Sequence, residues 1–179
     1  MVASTANERP HLNSPIRTRA KRQEKLSSVW GFQCGCSLCK QRADMAAASD
    51  ERIRQIKRIR RQLENYEGGS SATPQMADLM VSLYEQERLS GSIYEAYTCA
   101  AIEWNGAGEP WQAVRYARLA IEAGLASAGP KDRDVIEMTK LADNPWAHWS
   151  WMLRTSKRMS WGAMRSVGGS AAVDEDDDV

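Results

Sequence analysis

Nothing in this chain stays apolar for long. No uninterrupted hydrophobic run approaches the roughly 18 residues that a membrane-spanning helix needs, the mean hydropathy is −0.55, and no apolar signal segment follows Met1. The expectation is a soluble chain with no membrane partner, in the nucleus or the cytoplasm. Histidine is scarce, with two residues, the serines fall in linker-like stretches, and no glycine-rich loop opens a helix after a strand. No nucleophile, base and orienting group therefore stand within sight of one another, and no catalytic residue is assigned. Cysteine, at four residues, is too rare for a disulfide scaffold, which points to a reducing compartment. A large excess of one charge is also missing, since the formal net charge is +1. That balance hides an asymmetry. Arg17 to Arg61 holds thirteen Lys or Arg against Glu24, Asp44, Asp50 and Glu51, whereas Asp174 to Asp178 is five consecutive acids. The basic half reads as a solvated helix face, with contact to nucleic acid or to an acidic peptide as the alternatives.

What the chain does have is Trp30-Gly31-Phe32-Gln33-Cys34-Gly35-Cys36-Ser37-Leu38-Cys39, which puts three of the four cysteines into six residues. Zinc takes four soft or borderline ligands in a tetrahedron, and Cys-x-x-Cys lets one tight turn aim two sulfurs at the same point. Cys34 adds a third ligand, so Cys34, Cys36 and Cys39 are the expected metal ligands and zinc the expected cofactor. A zinc ion held by three protein groups is open to water or completed from elsewhere. The knuckle reads as half of a shared site. Reactive thiols and chance clustering are the alternatives.

Arg22-Gln23-x-x-Leu26, followed by Trp30-Gly31-Phe32 and then Cys34-x-Cys36-x-x-Cys39, resembles the post-SET segment of SET-domain protein lysine methyltransferases, in the SET/MYND-like branch where a TPR-like helical region follows the knuckle. The resemblance implies a zinc shared with a cysteine of the catalytic SET core. It also implies that Phe32 packs on the adenine of S-adenosylmethionine and that Trp30 walls the channel receiving the substrate lysine. The bland account of both rings is apolar shielding of the metal. Between Met1 and the knuckle the chain carries no Asn-His pair, no catalytic-tyrosine motif and no Gly-x-Gly cofactor loop. S-adenosylmethionine is thus expected as a cofactor only if a SET core is supplied.

The fold expected is mainly α, a short zinc knuckle followed by an antiparallel TPR-like helical array. Residues 1–13 lack periodicity and are expected to be disordered. Residues 14–48 hold a helix started by Ser14-Pro15 and running from Ile16 to Ser28, then the knuckle, then a small-residue connector from Lys40 to Ala48. Residues 49–155 form the helical domain. Ser49-Asp50-Glu51 should start its first helix, whose core stripe is Ile53, Ile56, Ile59 and Leu63. Gly68 to Pro74 is a linker. Met76, Leu79, Met80, Leu83 and Tyr84 form the next stripe. Ile93, Tyr94, Tyr97, Ala100, Ala101 and Trp104 follow, ending at Asn105-Gly106. Val114, Ala117, Leu119, Ile121 and Leu125 come after the restart at Glu109-Pro110-Trp111, and a last helix spans Asp132 to Asp143.

Ala101, Trp104, Gly108, Ala113, Ala117 and Ala120 stand at the spacing of one TPR-like unit, where two crossing helices need small residues and one large ring. Cys99 reads as a small buried apolar residue rather than a fourth ligand. Pro145 to Met152 carries three tryptophans in six residues and is expected to be a capping helix, with nucleobase stacking beside Arg154, Lys157 and Arg158 as the alternative. His148 there reads as a packed, hydrogen-bonded side chain. The tail, residues 156–179, is expected to be disordered and acidic.

Three functions follow. One is a carboxyl-terminal piece or degenerate copy of a SET-type lysine methyltransferase, zinc-binding and inactive alone. Another is a stand-alone helical module that binds a protein or peptide and is stapled by the zinc knuckle. The last, disfavoured, is a nucleic-acid-binding zinc protein.

Overall fold

The computed structural model describes residues 16–66 and 71–155. The sequence-based readings for residues 1–13, Ser14-Pro15, Gly68 to Ser70 and 156–179 lie outside them. The described residues form α1 (Arg19–Trp30), α2 (Ala43–Leu63), α3 (Pro74–Gln86), a 3₁₀ turn (Ser90–Ser92), α4 (Ile93–Gly106), α5 (Pro110–Ser127) and α6 (Arg133–Asp143). The fold is mainly α. No strand occurs among the described residues, and no helix among them is long and apolar enough to cross a membrane.

Local chemistry sets most of the helix ends. Thr73 accepts a hydrogen bond from the Met76 amide and Pro74 occupies the first position of α3, the pairing that suits a helix start. Asp132 does the same for α6, accepting from the amides of Asp134 and Val135. Pro110 opens α5. Helix α1 ends at Gly31, whose φ of +69° and N–H bond to the Ser27 carbonyl make a left-handed stop that only glycine adopts without strain.

Two helix starts differ from the sequence-based expectation. Helix α1 begins at Arg19 rather than beside Pro15, so Ile16, Arg17 and Thr18 precede it; Ile16 is buried in the core instead. Helix α2 begins at Ala43, not at Ser49. Ala46-Ala47-Ala48 is a run of the strongest helix former, and it carries the helix back through the segment expected to be a connector. Ser49 and Asp50 are thereby released from capping their own helix. Ser49 donates its hydroxyl to Glu87, and Asp50 accepts from the backbone amide of Arg19 at 2.6 Å. The acid does sit at the positive end of a helix, but that helix is α1.

Helix α1 buries no residue of its own, so this cap is a principal tie between it and the helical body. Replacing Asp50 by Ala should cost about 1 kcal/mol, read as faster amide exchange in α1 with α3 to α6 unchanged. Equal acceleration in every helix would show that Asp50 supports the body instead.

The core has two connected parts. Ile53, Ile56, Ile59 and Leu63 of α2 meet Ala77, Met80, Val81, Leu83 and Tyr84 of α3 and Ala96 and Ala100 of α4. Ala101 of α4 then meets Ala113, Ala117 and Ala120 of α5 and Met138 and Leu141 of α6. Helix α4 serves both. The α2 stripe is as the periodicity predicts, whereas two other stripes are rotated: Leu79 and Leu125 are exposed. Helix α3 buries Ala77, Met80, Val81 and Tyr84, spaced three and four apart, which leaves Leu79 off the stripe. Helix α5 buries Ala113, Ala117, Ala120 and Gly124, because the close approach of α4 and α6 selects small residues over large ones. A Cβ on Gly124 would lie 2.6 Å from Val135 Cγ2.

Trp104 sits where the two parts join and packs against both. Its Nε1 donates to Asp78 Oδ1 at 3.0 Å, and the Tyr116 hydroxyl donates to the same oxygen at 2.8 Å. Burial, followed by the hydrogen bond to Asp78, pushes the Tyr116 phenol up to about 12.

The tryptophan-rich stretch is not a capping helix. Residues 145–152 are turns, and helical backbone resumes at Leu153. Asn144 starts the turn by accepting from the Ala147 amide, and the inward anchors are polar. Asn105 Nδ2 donates to the Pro145 carbonyl at 3.0 Å and to Ser150 Oγ at 2.9 Å. Ser150 Oγ lies 2.8 Å from His148 Nδ1. His148 is packed and hydrogen-bonded, as expected, with its pKa lowered by burial.

Candidate metal centre

The knuckle is built between two helix ends. Gly31 turns the chain out of α1, and four residues after the last cysteine α2 begins. Between them, the amides of Cys39 and Lys40 both donate to the Cys36 carbonyl, at 3.0 and 2.9 Å. This is the tight turn that Cys-x-x-Cys needs. Gln23, about two turns back along α1, fixes the other side of the loop. Its Nε2 donates to the Cys34 carbonyl at 2.8 Å while its Oε1 accepts from the Cys34 amide at 2.9 Å. A side-chain amide thus clamps one cysteine at both backbone groups. Glutamine is part of the motif that carries the post-SET resemblance, but the sequence alone assigned it no task.

The Sγ atoms of Cys34, Cys36 and Cys39 all lie within 4.8 Å of one another. The three sulfurs therefore converge, and the group can hold a metal ion. Cys39 is buried, Cys34 half-buried and Cys36 exposed, so the cluster has a covered side and a side open to solvent. Among the described residues no fourth Cys, His, Asp or Glu joins the group. Cys99 lies apart, packed against the α2–α4 core, and burial pushes its thiol up to about 12. It serves as a packing residue.

The proton balance of the three thiols fits a ligand set. The Cys39 amide, donating toward Cys36, and then hydrogen bonds with Cys34 and Cys39 lower the Cys36 thiol to about 7. Burial, then the same sulfur contacts, raise Cys39. Cys36 thus ionises easily, while Cys39 holds its proton against it. Three soft donors in one shell are the chemistry zinc selects, and binding would displace the remaining protons.

Trp30 and Phe32 precede the cluster in the chain and are 61% and 51% exposed. Val29, Leu38 and Met45 are also exposed, which gives the segment around the knuckle an apolar character unusual for a solvated surface. Four arginines of the basic face of α2 are paired with acids. Arg52 pairs with Glu87, Arg54 and Arg58 with Glu51, and Arg60 with Glu95. No family model, curated protein or solved structure matches this chain.

Proposed function

We propose that this chain is the post-SET and helical part of a SET-type protein lysine methyltransferase, that its knuckle binds one zinc ion, and that it does not transfer methyl groups alone. The observation carrying this reading is the convergence of three cysteine sulfurs with no fourth donor beside them among the described residues, in a segment that also exposes two large rings, Trp30 and Phe32. Cys34, Cys36 and Cys39 would hold the metal, which supplies structural cross-linking and neutralises the thiolates. Gln23 keeps Cys34 in register, and the Asp50 cap holds α1 where the knuckle needs it. Trp30 and Phe32 await a second surface, in this reading the one that also supplies the fourth ligand. The buried alanines at Ala101, Ala113, Ala117 and Ala120 support a TPR-like arrangement of α4 and α5.

Methyl transfer needs bound S-adenosylmethionine, a channel that strips water from the lysine amine, and a group that orients the amine for in-line attack. The chain offers at most one wall of that arrangement. Calorimetry with S-adenosylmethionine and a labelled methyl-transfer assay on histone and other proteins should both read zero with the zinc-loaded chain. Turnover above background would overturn the reading.

A second reading is favoured by one observation: α3 to α6 build their core without any residue of α1 or the knuckle. That independence suits a stand-alone helical module for a protein or peptide partner. Genomic DNA immediately upstream separates the two, since an in-frame Asn-His and catalytic-tyrosine segment supports the first and its absence the second. The pairing of the α2 arginines argues against nucleic acid.

A further inference from the structure

The turn at residues 145–152 places its aromatic residues unusually. Asn105, His148, Ser150 and the amide of Met152, which donates to the Asn105 carbonyl at 3.1 Å, anchor the turn from inside. The indole rings are left to face outward. Trp146 is 54% exposed, and Trp111, from the first turn of α5, is 77% exposed. Their rings stand at 89° with centroids 6.3 Å apart, and Trp151 meets Trp146 at 64° and 6.5 Å. Two exposed rings, Trp111 and Trp146, thus meet at right angles beside the half-buried ring of Trp151. Burial of such rings is worth kilocalories, so their exposure asks for a ligand.

We propose that the corner made by Trp111, Trp146 and Trp151 binds a methylated, quaternary ammonium group. A cation is held when it lies within about 6 Å of aromatic ring centroids, and tryptophan is the strongest of the rings. The Trp111 and Trp146 centroids are 6.3 Å apart, close enough for one cation to lie within that reach of both. A methylated ammonium suits the place better than a bare one, because it carries the charge with a small hydration cost and an apolar skin.

The charges nearby agree. Glu109 and Asp143, both exposed, precede Trp111 and Trp146 in the chain by two and three residues. The basic groups of the region are engaged elsewhere: Arg154 is buried against Glu103, Lys140 pairs with Glu137, and the Arg115 guanidinium lies over the Tyr116 ring at 5.6 Å. A nucleobase-stacking surface needs free cations to hold phosphates, and Arg154, the described residue best placed in sequence for that, is sealed inside. The same body uses this chemistry a second time, with Arg154 lying 4.9 Å over the Tyr66 ring.

Two sources share the ligand chemistry, a trimethylated lysine side chain in a peptide and a free quaternary ammonium compound. Tryptophan fluorescence and calorimetry on the full zinc-loaded chain should be run with four probes: a trimethyllysine peptide, the same peptide unmodified, choline, and the trimethyllysine peptide with its nitrogen replaced by carbon. The proposal expects saturable binding of at least one methylated cation, roughly tenfold tighter than the neutral isostere. A preference for the peptide assigns the site to modified protein, and a preference for choline to a small molecule. Trp146→Ala and, separately, the more exposed Trp111→Ala should each weaken binding by roughly tenfold with far-ultraviolet circular dichroism unchanged. Equal affinity for the neutral isostere, no saturable binding of either cation, or full retention of binding in a folded Trp111→Ala chain would overturn it. None of these outcomes bears on zinc or methyl transfer.

Discussion

Replacing Arg154 by alanine should destabilise the helical body by about 3–5 kcal/mol, the cost of removing one partner from a buried ion pair. Arg154 and Glu103 are 7% and 1% exposed. The guanidinium donates to both Glu103 oxygens, with Nε 2.9 Å from Oε2, and its other nitrogens donate to the Leu63 and Asn65 carbonyls at 2.7 Å. One side chain therefore neutralises an acid in the last turn of α4 and satisfies carbonyls at the end of α2. Its loss leaves Glu103 buried without the guanidinium and strips the α2 end of its donors. Urea unfolding followed by circular dichroism measures the change. An Arg154→Met, Glu103→Leu double variant should recover much of it, since apolar pairs of similar volume replace buried ion pairs at little cost. A single variant within about 1 kcal/mol of wild type would show that water reaches the pair and that its burial does not govern stability.

Trp104→Ala should cost about 3 kcal/mol, the low end of the range for removing a large core ring, because Trp104 is only partly covered. The ring bridges the two parts of the core, so its removal should loosen α2–α4 packing and α4–α6 packing together. Asp78 would keep one donor, the Tyr116 hydroxyl, so the loss should come mainly from the cavity. Trp104→Phe, which fills most of the volume but drops the Nε1 donor, should retain most of the stability. If Phe costs as much as Ala, the hydrogen bond to Asp78 and not the packing holds the junction.

The sequence shows some of this plainly and some not at all. The cysteine cluster is legible because its geometry is local: a Cys-x-x-Cys turn brings its own sulfurs together whatever surrounds it. The helix breaks at Pro74, Glu109-Pro110 and Asp132 are legible for the same reason, each being set by a residue whose backbone preference dominates its neighbours. The start of α2 is misread because the Ser49-Asp50-Glu51 signal competes with three alanines before it, and the alanines prevail once Asp50 has another amide to cap.

The stripe of α5 is misread because large apolar residues normally mark a core, whereas here close helix approach selects Ala113, Ala117, Ala120 and Gly124. The TPR-like spacing did point to those alanines. Glu103–Arg154 is invisible in sequence, since its partners stand 51 residues apart. An acid on the Ala96–Ala100–Glu103 face of α4 is the one clue. The tryptophan turn misleads because aromatic clustering suggests burial, while the inner contacts are made by Asn105, His148 and Ser150.

The central claim is that Cys34, Cys36 and Cys39 hold one zinc ion through three thiolates. The most direct measurement is metal content together with the sulfur count from X-ray absorption at the zinc edge, on wild-type chain purified under reducing conditions and on Cys36→Ser and Cys99→Ser variants. The account predicts one zinc per chain with three sulfur ligands at about 2.3 Å, lost in Cys36→Ser and retained in Cys99→Ser. A chain that binds no zinc, or that keeps its zinc when Cys36 is replaced and loses it when Cys99 is, would contradict it.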